Sequence, residues 1–237
     1  MDYNKLIEYR AKIRDKMDSM LEDDDFELSI KYLTYIHESL FKGILFNAGH
    51  FRHFNIEREE EILNLATVDY PDFHTIPTYL RFAFRDESKV DYSNMNMDEV
   101  IINISKFVSN LWLVHSFSDG NTRTVGLFTE KYLKSMGYNV NHDVFKNNAR
   151  YFRDALVRAN YSSDNINNSY DALINFYNKV LVDSSISLDN NYLYIPELFN
   201  NNSKKRIKKW SSQVKIDTLK RELKSWFNFI LNWGFII

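Results

Sequence analysis

The chain has no cysteine. That absence excludes disulfide scaffolds, thiol nucleophiles, iron–sulfur clusters and cysteine-based zinc sites, and it agrees with a reducing, cytoplasmic compartment. Chemistry then falls to histidine, carboxylates, hydroxyls or the backbone. Proline and glycine are also scarce, 3 and 6 among 237 residues, which excludes collagen-like and low-complexity chains. Neither sign of charge dominates: 30 Lys and Arg stand against 32 Asp and Glu, a formal net charge of −2. Long hydrophobic runs are missing as well. The longest, residues 226–237, is interrupted by Asn228 and Asn232 and falls well short of the roughly 20 residues of a spanning helix. The N-terminus carries Asp2 and Glu8 where a secretory signal would place basic residues ahead of an apolar stretch, so Sec export is not expected and no membrane segment is foreseen.

Aromatic residues are abundant. With 18 Phe, 15 Tyr and 4 Trp, the chain has enough apolar area to offset the entropy of ordering it, which excludes a disordered protein. Apolar residues recur at i, i+3 and i+4, whereas sustained alternation is rare, so the expected fold class is all-α. A charged first helix carries Leu6, Ile13, Met17, Met20 and Leu21, and a second carries Ile30, Leu33, Ile36, Leu40 and Phe41 and stops at Gly43. From residue 47 to 77 the helical rhythm weakens, and a short β-hairpin is expected at about residues 55–69. A helix follows over residues 76–84. The strongest signal is Val100, Ile104, Phe107, Leu111 and Val114, one apolar stripe on a helix from Met97 to Val114. Further helices are read from a cap at Asn121 or Thr122 through Val125 to Met136, ended by Gly137, from Phe145 to Ala159, and from Tyr170 to Leu181.

Residues 1–25 therefore read as an N-terminal helix, 26–182 as the main domain and 190–237 as a basic helical extension. Residues 201–237 hold nine Lys or Arg against two acids, which leaves the rest of the chain acidic. A run such as Lys204-Lys205-Arg206 could touch a polyanion, but a solvated basic face is the favoured reading and nucleic acid is not an expected partner. His37, His50, His53, His74 and His142 form no His-x-x-x-His pair and are read as surface or core-edge residues.

Between the two central helices lies His115-Ser-Phe117-Ser-Asp119-Gly120-Asn121-Thr122-Arg123. A helix N-terminus at residues 120–123 points unsatisfied N–H groups and a partial positive charge at the loop, which suits phosphate oxygens. Gly120 lets a backbone approach closely. Asp119 is a hard oxygen ligand of the kind that holds Mg²⁺ together with substrate phosphates. Arg123 can neutralise phosphate charge, Phe117 points inward as a pin, and His115 can take a proton from an attacking hydroxyl.

His115-x-Phe117-x-Asp119-Gly120-Asn121-x-Arg123 resembles the signature of the Fic domain, His-x-Phe-x-Asp/Glu-Gly-Asn-Gly/Lys-Arg. The resemblance extends to Ile36-His37-x-x-Leu40-Phe41, to Asn47-Ala48-Gly49-His-Phe-Arg52-x-x-Asn55-Ile56 and to the helix around Tyr151 and Arg153, covering about residues 26–182. It implies a helical core with a small β-hairpin flap. The implied activity is protein adenylyltransferase, moving AMP from ATP to a Ser, Thr or Tyr hydroxyl of a target protein. By that resemblance His115 is the catalytic base, Asp119 holds Mg²⁺, and Gly120, Asn121, Thr122 and Arg123 bind the nucleotide. Phe117 is then structural, and the flap registers an extended target segment.

Two positions depart from the pattern. Thr122 stands where Gly or Lys is usual, and Gly126 where many members have a second arginine that contacts the terminal phosphate. The related Doc proteins also lack that arginine and transfer the γ-phosphate, so a Doc-like kinase is the alternative, beside a non-catalytic nucleotide- or partner-binding fold. Thr218 to Glu222 and Thr34 to Glu38 only partly match the family's inhibitory motif. No intrinsic glutamate lock is expected, which leaves inhibition to a separate antitoxin, and a homo-oligomer stays open.

Overall fold

The computed structural model describes residues 3–199; the expected basic extension, its apolar end and the segment around Thr218 lie outside the described residues. The chain divides into two compact units, Asp15–Tyr194 and a second formed by Met1–Arg14 with Ile195–Ile237. Within the larger unit, helices dominate and no strand is present among the described residues. Helix α1 spans Tyr3–Glu22, α2 Ile30–Phe41, α3 Ile76–Glu87, α4 Met97–Val114, α5 Asn121–Ser135, α6 His142–Asn147, α7 Ala149–Asn160 and α8 Asp171–Leu181. None of them is long and apolar enough to cross a membrane.

The centre is α4. Asn96 and Glu99 form a reciprocal capping box at its start, so both orphan donors are met where the apolar stripe begins. Val100, Ile104, Phe107, Val108 and Leu111 are almost wholly buried, and α3, α5, α7 and α8 all pack against this helix. Burying side chains of this size contributes about 1.5–3 kcal/mol each relative to leaving them in water. Phe84, Phe107 and Phe128 meet edge to face or tilted between α3, α4 and α5, and Phe145, Phe152, Phe176 and Tyr177 form a second aromatic cluster under α6, α7 and α8. Polar ties supplement this packing. Glu87 of α3 accepts hydrogen bonds from Tyr92 and Tyr132 at 2.6 and 2.9 Å, and Lys131 of α5 donates to the carbonyl of Met20 in the last turn of α1 and to that of Asp23 just beyond it.

Two expectations are corrected. The single helix read over residues 145–159 is two, α6 and α7, separated at Asn148, whose side chain bonds back to the Val144 carbonyl at 2.9 Å. That local bond offers the backbone an alternative to the helical ladder. The hairpin flap expected at residues 55–69 is no strand pair. Two backbone bonds, Glu60 N–H to Ala66 O at 3.0 Å and Leu65 N–H to Glu60 O at 2.9 Å, close a tip made of a 3-10 turn at Glu61–Leu63 and two left-handed residues, Asn64 and Leu65. Further down, the Arg58 N–H donates to the Thr67 hydroxyl instead of a facing carbonyl. The cause is visible in the sequence between them: Glu60, Ile62 and Leu63 are all buried, so adjacent residues turn to the same side and strand alternation fails.

Candidate active site

The loop between α4 and α5 is bracketed by two left-handed residues. His115, φ +46°, caps α4 with its N–H bonded to Trp112 O at 3.0 Å, and Gly120, φ +78°, caps the start of α5. Glycine is required at 120 on two counts. A Cβ there would lie 2.4 Å from the buried Phe41 ring, and the positive φ is strained for any other residue. A left-handed histidine is uncommon, and holding it there requires partners.

Arg52 supplies them. It is 2% exposed, and its guanidinium donates to the carbonyls of His115 at 2.8 Å, Val114 at 3.5 Å, Phe54 at 2.8 Å and Pro71 at 2.6 Å. The first two are free carbonyls at the end of α4, where a cation is favoured by the helix dipole. The Arg52 N–H adds a bond to Ser116 O at 2.8 Å.

The imidazole of His115 is 5% exposed, between the rings of Tyr70 and Trp112 at centroid distances of 4.5 and 5.3 Å. Its Nδ1 is buried without a partner. Burial, followed by the positive charges of Arg58, Arg52 and Arg153, holds its pKa well below the usual histidine range, so it is neutral near pH 7.

Phe117 is buried and stacks flat on His37, with centroids 3.8 Å apart and planes 4° off parallel. His37, read from the sequence as core-edge, is fully buried at the heart of the loop. Its Nδ1 accepts from Gly49 N–H at 2.8 Å, which fixes the tautomer, and its Nε2–H donates to Asp119 O at 3.0 Å. Burial pushes its pKa down to about 4. Its place beside Leu40 and Phe41 in the family-like segment was the one available signal.

The remaining loop residues take distinct parts. Asn121, expected at phosphates, is 4% exposed and spends its amide inside the loop: Oδ1 accepts from Phe117 N–H at 2.9 Å and Nδ2 donates to Phe117 O at 2.7 Å. Thr122 accepts from the Trp112 indole N–H at 3.0 Å, so its hydroxyl is engaged with α4. Asp119 is half-buried and takes the Gly120 N–H on Oδ1 at 2.6 Å. Arg123 is exposed, its guanidinium 4.9 Å above the Phe41 ring. No cluster of three or more metal-ligating side chains exists among the described residues. The single carboxylate of Asp119 is a hard oxygen donor of the kind that suits Mg²⁺ arriving on phosphates.

Residues 55–57 and 67–70 line a groove of about 380 Å³, and Tyr70 of this lining packs its ring against His115 at 4.5 Å. Arg58 crosses from this segment to donate to Ser118 O at 2.7 Å, and Glu60 is anchored by Arg153 of α7 at 2.7 Å.

Residues 27–133 match the sequence model described as the Fic/DOC family. The N-terminal FIC domain of Bep8, a VirB-translocated effector of Bartonella sp. 1-1C, superposes with a TM-score of 0.59 at 19% identity, over 79% of this chain and 89% of that one. BepC of Bartonella tribocorum, solved with bound AMPPNP, gives 0.60 and 19% over 76% and 87%. An ADP-bound Fic domain from Bartonella quintana gives 0.55 and 18% over 76% and 86%. The fold is the Fic fold. No curated protein sequence matches the chain. Within that fold the second departure lies against the core: a Cβ on Gly126 would be in ordinary contact with the Phe152 ring at 3.4 Å and Phe145 at 3.9 Å. Position 126 faces the aromatic cluster under α7.

Proposed function

We propose that the protein is a Fic-type transferase acting as a protein adenylyltransferase. The observation that carries this is His115: a buried imidazole with an unpartnered Nδ1, kept neutral by burial, at the end of α4 with residues 116–120 between it and α5, and in ring contact with Tyr70 of the groove. ATP binds with its phosphates against the first-turn amides of α5, which have no intrahelical acceptor, and against Arg123. Nucleotide-bound Fic-fold relatives, one with AMPPNP and one with ADP, support this occupant. Mg²⁺ carried by the nucleotide would be held by Asp119 and would neutralise phosphate charge.

The target protein lies in the groove of residues 55–57 and 67–70 and presents a Ser, Thr or Tyr hydroxyl to His115. His115 takes the hydroxyl proton as the oxygen attacks the α-phosphorus. The new P–O bond forms while the bond to the β-phosphate oxygen breaks and pyrophosphate leaves. General-base assistance of this kind is worth about 10²–10⁴ in rate.

The experiment is labelling of acceptor proteins with ATP labelled at the α- or the γ-phosphate, in Mg²⁺, beside His115→Ala. Label transferred from the α position and lost in the variant supports the reading. Label from the γ position alone replaces it with phosphoryl transfer, which the absence of a cation at Gly126 favours as the second reading. Nucleotide binding without transfer of either label would make the protein a binding module.

A further inference from the structure

Three arginines place positive charge on His115, and they differ in what balances them. Arg153 is matched by Glu60 at 2.7 Å and by Asp154 at 3.8 Å. Arg52 is saturated by four carbonyl oxygens. Arg58 has, among the described residues, neither an ion pair nor a full set of carbonyls, and Glu60 acts on it only from beyond ion-pair distance. Its Nη2 donates to the Ser118 carbonyl, its Nε is buried without any partner, and no carboxylate among the described residues lies within ion-pair distance of it. A half-buried guanidinium, with five donors in a rigid fork, ordinarily finds a carboxylate or a phosphate. Here the group sits on the carbonyl between His115 and Asp119, the edge of the loop at which phosphates are read to bind.

We propose that Arg58 is a phosphate-binding residue of this site, contributed by the groove segment rather than by the His115 to Arg123 loop, and that it grips the phosphoryl group next to His115. The proposal rests on the nucleotide reading above and deepens it. It assigns a second role to the segment around residues 55–69. Through Arg58, a bound nucleotide draws that segment onto the loop, so the acceptor groove is completed only once the donor is in place. Arg58 also stands where negative charge grows as the attacked phosphorus becomes five-coordinate, which makes its charge more valuable in the transition state than in the ground state.

The test is binding of ATP, ADP and adenosine to the full-length protein in Mg²⁺ by calorimetry, comparing wild type with Arg58→Gln and Arg58→Lys. The Gln variant is expected to weaken ATP and ADP about tenfold while leaving adenosine unchanged, since it removes a charge-assisted bond to phosphate alone. The Lys variant, which keeps the charge and loses the fork, falls between them. Hydrogen exchange over residues 55–69 supplies a second readout: ATP slows it in wild type and not in Arg58→Gln. Wild type that binds ATP no better than adenosine sinks the nucleotide reading and this proposal together. Variants that bind ATP as wild type does, or that weaken adenosine as much as ATP, overturn this proposal and leave the nucleotide reading standing. If Arg58→Gln does not fold, the Lys variant decides by the same criteria.

Discussion

Two segments meet at His115, and they are held by different forces. Within residues 117–121 the contacts are neutral and at backbone level, Asn121 on both polar atoms of Phe117, His37 on Asp119 O and a ring against Gly120, while arginines reach this loop from the other segment, Arg52 at His115 O and Arg58 at Ser118 O. Residues 51–72 are fixed largely by charge, through Arg52, Arg58 and the Glu60–Arg153 pair, around a tip of short turn bonds that forms no strand ladder. The first arrangement tolerates almost no change in size, because the interior is close-packed. The second tolerates changes in shape but depends on charge balance. A phosphate site needs fixed donors, whereas an acceptor groove that serves protein segments gains from a rim that can adjust.

The sharpest way to break this comparison is Gly120→Ala. A methyl group 2.4 Å from the Phe41 ring, on a backbone at φ +78°, combines overpacking with left-handed strain and should cost about 4 kcal/mol. Urea unfolding measures it, and Phe41→Leu added to the same chain should recover part of the loss. If Gly120→Ala is as stable as wild type, the close-packed picture of the loop is wrong.

Acid should separate the two segments next. A histidine titrates near 6.5 when unfolded, and His37 is pushed down to about 4 in the fold by burial. The folded state therefore binds fewer protons between these values. Its stability is full above about pH 6.5, is lost as pH falls through that range, and levels off near pH 4; the share due to His37 is about 3 kcal/mol. His115 shifts in the same direction. The buried Glu60 carboxyl shifts upward, so its protonation relieves a penalty and does not add to the loss. Urea midpoints from pH 7 to pH 4 should fall steeply in wild type and less in His37→Phe; equal slopes in the two proteins would refute this account.

Removing charge from the other segment is expected to act more mildly. Glu60→Leu leaves Arg153 with Asp154 alone, and because the Arg153 side chain is 41% exposed, water takes up part of the deficit. The expected cost is about 2 kcal/mol, below that of breaking a fully buried pair. Proteolysis should open residues 55–69 before the rest of the chain, while the packing around His37 and Phe117 holds. Cleavage no faster than in wild type would show that the pair does not anchor the segment.

How far the sequence carries follows the same division. The helices around α4 are legible because their burial is written at helical spacing, and the bounds of α4 and the stops at Gly43 and Gly137 follow from the residues alone. The residues of the loop are legible as a pattern, but not their parts. Asn121 reads as a phosphate ligand, while its side-chain amide fastens Phe117, because an amide bonds equally well to a backbone. His37 is 78 positions from His115 in the chain, and no spacing rule joins them. Residues 55–69 read as a hairpin because Ile62, Leu63 and Val68 suit strands, while what shapes the segment is a pairing of Glu60 with an arginine 93 residues away.

Thr122 gives the finest test of the division. It departs from the usual Gly or Lys, and the structure supplies a use for it: its hydroxyl accepts the Trp112 indole N–H at 3.0 Å, and Trp112 forms one wall of the His115 imidazole. Thr122→Val keeps the shape and removes the acceptor, leaving a buried donor unmatched at a cost of about 1 kcal/mol. Thr122→Ser should restore it. The readout that bulk stability would not provide is the pH dependence of transfer: with the Trp112 wall loosened, water reaches His115, its pKa rises toward the usual range, and the acid limb of the rate profile moves to higher pH. The opposite outcome, an unmoved acid limb with stability lowered by the same amount, would make Thr122 a helix-packing residue and leave the neutrality of His115 to Tyr70 and burial alone.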